Sequence, residues 1–175
     1  MTELATANAK IPELPHSIEA EQAVLGALML ANDAFDSVAS LITEEDFYGQ
    51  DHRLIFATMK ELTDKDQPLD PITLSEALKS LHLLEEAGGE SYLVNIARNT
   101  PSSENIRAYA QIILERSIVR KLILAASEIA QKGYNPLGWD SGKLLAEAER
   151  RLLEVVEGRP KEGGFQNVTD LLRQA

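Results

Sequence analysis

Gly142 and Lys143 form the pair of residues in this chain that most resembles the end of a phosphate-binding loop. Such a loop has a glycine five positions before the second glycine, and a serine or threonine directly after the lysine to bind Mg²⁺. Leu137 and Leu144 occupy those two positions here. We therefore predict no nucleotide site at this point.

Asp64, Asp66 and Asp70 alternate with other residues in a way that suggests a calcium-binding loop. A calcium loop of this type needs glycine at its sixth position for a sharp turn and a bidentate glutamate at its twelfth. Leu69 and Ser75 stand at those positions. The pattern therefore indicates a solvated acidic loop.

Histidines and clustered carboxylates also lack the arrangement of a metal or catalytic site. His16, His52 and His82 fall in three different predicted elements without paired ligand spacing, and the chain has no cysteine. The carboxylates from Glu44 to Asp46 are expected to lie in the first turn of a helix, where they favour its positive end. A helical enzyme would need a polar pocket built from scattered side chains, and steady nucleotide turnover by the pure protein would support that alternative.

Arg116, Arg120 and Lys121 make the best basic cluster in the sequence. A solvated helix edge and a contact with nucleic acid or an acidic partner both fit this pattern. The formal net charge of −11 argues against a surface dominated by phosphate contacts, because that affinity comes from clustered lysine and arginine. No aromatic residue is interspersed with the cluster to stack bases, which weakens the case for single-strand binding.

One long helix must position these residues, and it is predicted from about Ser103 to Lys132, where no proline or glycine interrupts the pattern. Two neighbouring apolar stripes run along it: Leu114, Ile118, Leu122, Ala125 and Ile129, and Ile112, Val119, Ile123, Ala126 and Ala130. A third group near its start, Ile106, Tyr109 and Ile113, points in another direction. The two halves of the helix are therefore expected to pack on different surfaces.

Composition and the remaining patterns predict an all-α protein. Aromatic residues make up only 5% of the chain, and the long alternating runs of Val, Ile and Thr that strands need are missing. We predict a compact multi-helix head at 16–102 and an antiparallel helical hairpin at 103–157. Residues 1–15 are predicted to be a disordered tail, and residues 158–175 a flexible linker with the start of a further helix.

The second helix of the hairpin is predicted to run from Asp140 or Ser141, one of which caps it, to about Glu157. Its apolar face is expected to carry Leu144, Leu145, Ala148, Leu152, Val155 and Val156, and its opposite face Lys143, Glu147, Arg150 and Glu154.

Local signals predict several other helix starts. Ser17 is expected to cap the first helix, Thr43 and Asp46 resemble a capping box, and Thr73 with Glu76 makes a second one. Gly26 lies inside the first helix, where it costs about 1 kcal/mol relative to alanine. That cost predicts a close contact with another backbone.

The apolar surface of the long helix is wider than one neighbour requires. An ordinary surface helix has an apolar arc of about 100°, so part of this surface is available to another chain. A central helix wholly buried within one domain is the alternative. We predict self-association through five residues of the hairpin, namely Leu122, Ile129, Leu145, Leu152 and Val156. Val168, Leu171 and Leu172 begin an amphipathic pattern that predicts a docking helix in the linker.

The opening segment from Pro15 to Leu28, PHSIEAEQAVLGAL, resembles the start of the amino-terminal domain of bacterial DnaB-type replicative helicases. Further matches follow in the same order: Asp46-Phe47-Tyr48, His52 to Phe56, Asp70 to Leu78, Gly88-Gly89 with Tyr92-Leu93, and Asn105 with Tyr109-Ala110. The similarity extends from about His16 to Ala175. The chain resembles that domain together with the start of the linker helix that follows it.

This resemblance implies a non-catalytic domain for self-association and partner recruitment. In that family the head and hairpin form a collar in which hairpins pair between subunits, making a trimer of dimers above a hexameric ring of motor domains. The collar recruits primase and influences binding of the helicase loader, and the linker helix docks on a neighbouring motor domain. A weak contact with single-stranded DNA is a further expectation.

The resemblance also implies that this chain is not itself an enzyme. It is expected to end inside the linker helix and to lack the motor domain, so ATP and Mg²⁺ are cofactors only of the parent 5′–3′ DNA helicase. A free-standing helical adaptor, such as the helicase-binding domain of a primase, is the alternative. No signal peptide and no apolar run long enough to span a membrane is found, so we expect a cytoplasmic protein without a membrane partner.

Overall fold

Seven α-helices form the part of the chain that the computed structural model describes, residues 12–100 and 102–158. In chain order they are α1 Ile18–Leu30, α2 Phe35–Ala39, α3 Gln50–Asp64, α4 Pro71–Ser80, α5 Glu90–Asn99, α6 Ile106–Tyr134 and α7 Ser141–Glu157. Two short 3₁₀ turns, Asn32–Ala34 and Glu44–Asp46, lie on either side of α2. No strand occurs within these residues, and the prediction of an all-α head followed by a hairpin is confirmed.

Helix α1 lies at the centre of the head. Apolar residues cover most of its circumference, so other helices bury it on several sides. Leu25 and Leu28 are fully buried, and the helix packs on α3, α5 and α6. A helix that is apolar on all sides is typically covered on all sides. A Cβ at Gly26 would stand 2.7 Å from the Ile96 carbonyl oxygen of α5. The predicted close approach of another backbone at this glycine is confirmed.

Most of the predicted helix caps are present. The Ser17 hydroxyl accepts a hydrogen bond from the first turn of α1, and the Asp140 carboxylate does the same for α7. Thr43 and Asp46 form a reciprocal capping box around the second 3₁₀ turn. These side chains satisfy backbone N–H groups that have no partner within their own helix.

The predicted capping box of Thr73 and Glu76 is wrong. Helix α4 begins one turn earlier, because Asp70 caps it and Pro71 occupies its first position, where a missing N–H costs nothing. Thr73 is the reciprocal partner of Asp70 in this box. The Glu76 carboxylate instead pairs with Lys79, at 3.0 Å.

The long helix α6 packs on two different surfaces, as its sequence predicts. Ile106, Ala110 and Ile113 are buried in its first half, which packs on α1. Its second half packs on α7. The helix begins three residues later than predicted and continues through Gly133. It therefore joins the head to the hairpin.

The interpretation of the basic cluster as a solvated edge of α6 is wrong for Arg120. This side chain is only 6% exposed, and its guanidinium donates to the carbonyl oxygens of Pro15, at 2.7 Å, and Asp46, at 2.5 Å. Lys121 pairs with the Asp46 carboxylate at 2.8 Å. Arg116 is exposed. Two of the three cations therefore hold α6 against the head.

Asp46 is the centre of this junction. One of its oxygens accepts from the Ser117 hydroxyl at 2.6 Å and from Lys121, and the other from the Thr43 backbone at 2.8 Å. Burial raises the pKa of Asp46, but the hydrogen bonds from Lys121, Ser117 and Thr43 outweigh burial and hold the pKa below its ordinary value of 3.8. The carboxylate is therefore charged in the folded protein under neutral conditions.

Asp46→Asn is expected to lower the free energy of unfolding by about 1–3 kcal/mol at neutral pH, because charged hydrogen bonds are lost. A depressed folded-state pKa contributes stability above the unfolded pKa, and this contribution disappears as the pH falls through the folded value. The difference between wild type and variant should therefore shrink below about pH 4. Urea denaturation followed by circular dichroism over a pH series measures it. A difference that is unchanged at acidic pH would contradict this role for Asp46.

Packing against the head extends before the first helix. Leu14 and Pro15 are half-buried, and the His16 ring stacks on Tyr48 with centroids 4.1 Å apart. Residues 1–11 of the predicted tail lie outside the described residues. Among the helices that the structure describes, none is long and apolar enough to cross a membrane.

Candidate self-association surface

The hairpin is held together along one line of contacts between α6 and α7. Lys132 donates to Glu147 at 2.6 Å, and Glu128 forms an ion pair with Arg151. Lys132 follows Glu128 on α6, whereas its partner Glu147 precedes Arg151 on α7, so the two helices are antiparallel. The Lys132 ammonium also lies 5.2 Å from the centre of the Trp139 ring in the connecting loop. These contacts define the inner side of both helices.

Glu147 belongs to this inner line, so its predicted place on the outer charged face of α7 is wrong. Its carboxylate accepts from Arg150 as well as from Lys132. The hydrogen bond from Arg150 and the smaller effect of the hydrogen bond from Lys132 lower the pKa of Glu147 to about 2. The hairpin therefore closes through an ion-pair network rather than through apolar contacts alone.

Four of the five residues predicted for self-association have solvent-exposed side chains. Leu145 is 71% exposed and Leu152 is 42% exposed, and Leu122 and Val156 have similar exposure to Leu152. Ile129 is half-buried. Large aliphatic side chains with this much contact with water are unusual when they cluster on one surface.

These residues lie on the same side of the hairpin. An α-helix turns by about 100° per residue, so Leu122 and Ile129 follow the inner line of α6 by about a quarter turn. Leu145 and Leu152 follow the inner line of α7 by about a third of a turn in the same rotational sense. Because the helices are antiparallel, rotations of less than half a turn in the same sense lead to the same side of the hairpin. The five residues therefore form one apolar surface across both helices, which we call the hairpin surface.

The second apolar stripe of α6 continues this surface around the helix. Val119 and Ile123 are exposed, and Ala126 and Ala130, which follow them along α6, are exposed as well. This stripe lies beside Leu122 when the positions are placed on a helical projection. The exposed apolar area is thus wider than the five predicted residues.

The other side of the hairpin is charged. Lys143, Arg150 and Glu154 are exposed there, and Arg150 pairs with Glu154. Exposed ion pairs of this kind add about 0–1 kcal/mol each, so they keep the side solvated without contributing much to stability. One side of the hairpin is therefore suited to a partner and the other to water.

A buried polar relay in the head was missed by sequence reasoning. The Glu21 carboxylate accepts from the backbone N–H of Tyr48 at 2.6 Å and of Gly49 at 3.2 Å, and from the His52 ring Nδ1 at 2.5 Å. Because a carboxylate only accepts, this His52 nitrogen carries the proton. The signal available in the sequence was a glutamate in a helix whose later residues are almost all apolar.

The relay continues from His52 to the surface of the head. The other ring nitrogen of His52 lies 2.7 Å from the Tyr92 hydroxyl, which accepts from Gln22 at 3.1 Å. Burial raises the pKa of Tyr92 above 10.0, with the Gln22 hydrogen bond opposing it, so the phenol stays protonated and can donate to His52. Tyr92 and Gln22 line a groove of about 470 Å³ between α1, α5 and α6. The relay thus connects α1, α3 and α5.

The segments on which the sequence resemblance rests meet in these two polar clusters. The opening segment supplies Glu21, the 46–48 segment supplies Asp46, and the later matches supply His52 and Tyr92. Each makes a contact to a residue far away in the sequence. Val168, Leu171 and Leu172, which are predicted to dock the linker helix, lie outside the described residues. Among the described residues, no group of three or more His, Asp or Glu side chains is placed to hold a metal ion.

Comparison with known proteins identifies the family. The family described as "DnaB-like helicase N terminal domain" matches residues 13–115. The replicative DNA helicase DnaB of Buchnera aphidicola subsp. Baizongia pistaciae is 46% identical over 164 residues, covering 93% of this chain and 35% of the helicase. That of Haemophilus influenzae is 45% identical over 168 residues, covering 95% and 36%. The chain spans about a third of the length of these curated relatives.

Solved structures agree with the sequence comparison. The N-terminal domain of DnaB helicase from Mycobacterium tuberculosis is similar with a TM-score of 0.78 and 29% identity, covering 81% of this chain and 99% of that one. The N-terminal domain of DnaB helicase from Helicobacter pylori is similar with a TM-score of 0.59 and 29% identity, covering 66% and 90%. The relatives are replicative helicases rather than free-standing primase adaptors. The chain therefore belongs to the DnaB-type replicative helicases, as their N-terminal domain and not their motor domain.

Proposed function

We propose that this domain assembles copies of a replicative helicase through the hairpin surface and recruits primase to the resulting collar. The hairpin surface is the observation that carries the proposal, because it exposes aliphatic side chains of both helices on one side. An interface between identical subunits related by a two-fold axis uses the same surface on both. Pairing of two hairpins would therefore bury Leu122, Leu145 and Leu152 of each copy.

The proposal for primase rests on similarity. The Helicobacter pylori N-terminal domain was described together with its interactions with primase, and that domain is 29% identical to this chain. We extend this partner to the present protein. A collar of several paired domains would carry one head for each subunit, and therefore several sites for primase. Several weak contacts with primase would then act together, because linked binding sites raise the effective concentration of one another.

The remaining functional expectations concern the whole protein. We propose that the parent is an ATP-dependent 5′–3′ DNA helicase of the cytoplasm, that ATP and Mg²⁺ belong to its motor domain, and that a helicase loader is a further partner. Direct binding of single-stranded DNA to the described domain has less support, because Arg120 and Lys121 are engaged within the protein. Arg116 is the exposed cation of that cluster.

Leu152→Asp tests the hairpin surface. We expect the wild-type domain to be a dimer or a larger oligomer. The variant should form a smaller oligomer or a monomer, because burying a carboxylate at the centre of an apolar interface removes its hydration. Light scattering coupled to size-exclusion chromatography measures the mass, alone and after adding the carboxy-terminal domain of the cognate primase. We expect wild type to gain mass with primase.

Leu30→Asp is the matched control, because Leu30 is exposed at the end of α1 in the head and outside the hairpin surface. It should keep the wild-type mass. Circular dichroism should give the same helical content for all three proteins. A Leu152→Asp variant that remains folded and keeps its oligomeric mass would show that the hairpin surface does not mediate self-association.

A further inference from the structure

The negative charge of this protein is concentrated on its head. Residues 12–100 contain 17 Asp and Glu and five Lys and Arg, whereas residues 102–158 contain eight of each kind. The head thus has a formal net charge of −12 and the hairpin region a net charge of zero. Two such heads repel each other, and a basic partner is attracted. The charge and the hairpin surface therefore serve different contacts.

A mostly apolar groove of about 500 Å³ lies on this acidic head, between the end of α3 and α4. Leu62 and Ala77 line it, and Ile72 and Leu81 stand at its two ends along α4. Ile72 is 76% exposed and Leu81 is 46% exposed. Helix α4 packs on α3 and α5, whereas the hairpin extends from α6. The groove is therefore a separate surface from the one proposed for self-association.

The shape of the groove suits a helix. Its α4 wall follows the helical spacing of residues 72, 76 and 80 and of residues 73, 77 and 81. The small side chains of Ala77 and Ser80 allow close approach, and Ile72 and Leu81 supply apolar contacts about 13 Å apart along α4. An amphipathic helix with apolar residues at positions i, i+4, i+7 and i+8 has a stripe about 12 Å long, which is close to this spacing.

The charge around the groove selects the type of helix. The stretch from Glu61 to Leu81, which contains the residues that line it, has five Asp and Glu and two Lys. Glu61 and Glu76 line the groove with Lys65 as the cation among the lining residues. Glu76 is paired with Lys79, but both side chains are largely exposed and the pair is screened by water. A partner helix with lysine or arginine on either side of its apolar stripe fits this field.

We propose that the groove between α3 and α4 binds a basic amphipathic helix of a partner protein. The apolar stripe of that helix contacts Ile72, Leu62 and Leu81, and its flanking cations face Glu61 and Glu76. Charge on the head draws the partner in, and the groove fixes the position of its helix.

Two labelled peptides test the proposal. Each has about 16 residues, or between four and five helical turns, with the same leucine stripe; one has lysines beside the stripe and the other glutamates. Fluorescence anisotropy should show at least a tenfold higher affinity of the wild-type domain for the lysine peptide, with a difference that falls at high salt. Ile72→Ser should weaken the lysine peptide by about tenfold, as loss of an apolar anchor does. Because Ile72 is exposed, this change should not affect folding.

Charge-reversal variants distinguish the effect of the groove's own carboxylates on peptide binding from the effect of the overall negative charge of the head. The double variant Glu61→Lys with Glu76→Lys should bind the lysine peptide at least tenfold more weakly than wild type. The matched control, Glu85→Lys with Glu86→Lys, changes the net charge equally at exposed positions outside the groove and should keep the wild-type preference. If both double variants weaken the lysine peptide equally, or if Ile72→Ser binds like wild type, the proposal is overturned. The light-scattering mass of these variants should equal that of wild type, which keeps this result independent of self-association.

Discussion

Replacing Glu21 with alanine is expected to lower the free energy of unfolding by about 3–5 kcal/mol, because the change breaks a buried charged network by removing one partner. The carboxylate is about 1% exposed. Its removal leaves the backbone N–H groups of Tyr48 and Gly49 and the His52 ring nitrogen without their acceptor. A typical domain is stable by only about 5–15 kcal/mol, so this loss is a large part of the total.

Glu19→Ala is the matched control for this prediction. Glu19 lies two residues earlier in the first turn of the same helix but is exposed. It interacts mainly with the helix dipole, which is worth about 0.3–1 kcal/mol. Urea denaturation monitored by circular dichroism at neutral pH should therefore separate the two variants by at least about 2 kcal/mol. Equal destabilisation by the two changes would mean that the relay does not stabilise the head.

Glu21→Gln tests how much of the stabilisation comes from the charge of Glu21, because glutamine keeps the shape of the side chain. The amide oxygen can still accept from the Tyr48 N–H, but the NH₂ group then faces both the N–H of Gly49 and the protonated nitrogen of His52, which donate to the same Glu21 oxygen in the wild type. Its destabilisation should be smaller than that of Glu21→Ala, because one of the three hydrogen bonds survives. A destabilisation larger than that of the alanine variant would contradict the arrangement of donors.

Several features of this fold could be predicted because their signals are local. Helix α6 contains 29 residues, and its apolar pattern is uninterrupted over most of that length, so its existence and its two packing surfaces follow from periodicity. The caps by Ser17 and Asp140 depend on residues within one helical turn. Excess apolar surface on the hairpin was also visible, since the exposed stripes repeat at helical spacing.

The partners of Arg120 and Glu21 could not be predicted, because they are distant in the sequence. Arg120 has the spacing of a surface residue, and its burial depends on carbonyl groups of Pro15 and Asp46 that the tertiary fold brings to it. His52 was considered only as a metal ligand, although its partner is a carboxylate 31 positions away. Polar residues inside a fold are recognised by the geometry of their partners, and periodicity carries no information on that geometry.

The error at α4 has a different cause. Two capping signals overlap there, one from Asp70 and one from Thr73, and both satisfy the local pattern. Pro71 decides between them, because its ring fixes φ near the helical value and its missing N–H is harmless only at the start of a helix. A proline placed between competing caps is therefore the residue that determines where such a helix begins.

Gly26→Ala is expected to destabilise the head by about 1–3 kcal/mol, although alanine is intrinsically the better helix former by about 1 kcal/mol. A Cβ at this position would overlap the Thr100 hydroxyl and stand 2.7 Å from the Ile96 carbonyl oxygen. The Thr100 side chain could rotate only by breaking its own hydrogen bond to Ile96, at 2.9 Å. The Ile96 carbonyl belongs to the backbone, so α1 and α5 would have to move apart.

Gly133→Ala is the control, because Gly133 lies inside α6 with no other atom within 4 Å of an added Cβ. It should raise the free energy of unfolding by about 0.4–1 kcal/mol, since alanine restricts the unfolded chain without creating a clash. The same substitution is thus expected to have opposite signs in two helices of one domain, and urea denaturation measures both. If Gly26→Ala were also stabilising, the contact between α1 and α5 would have to be looser than the structure places it, and the packing of the relay that joins these helices would need revision with it.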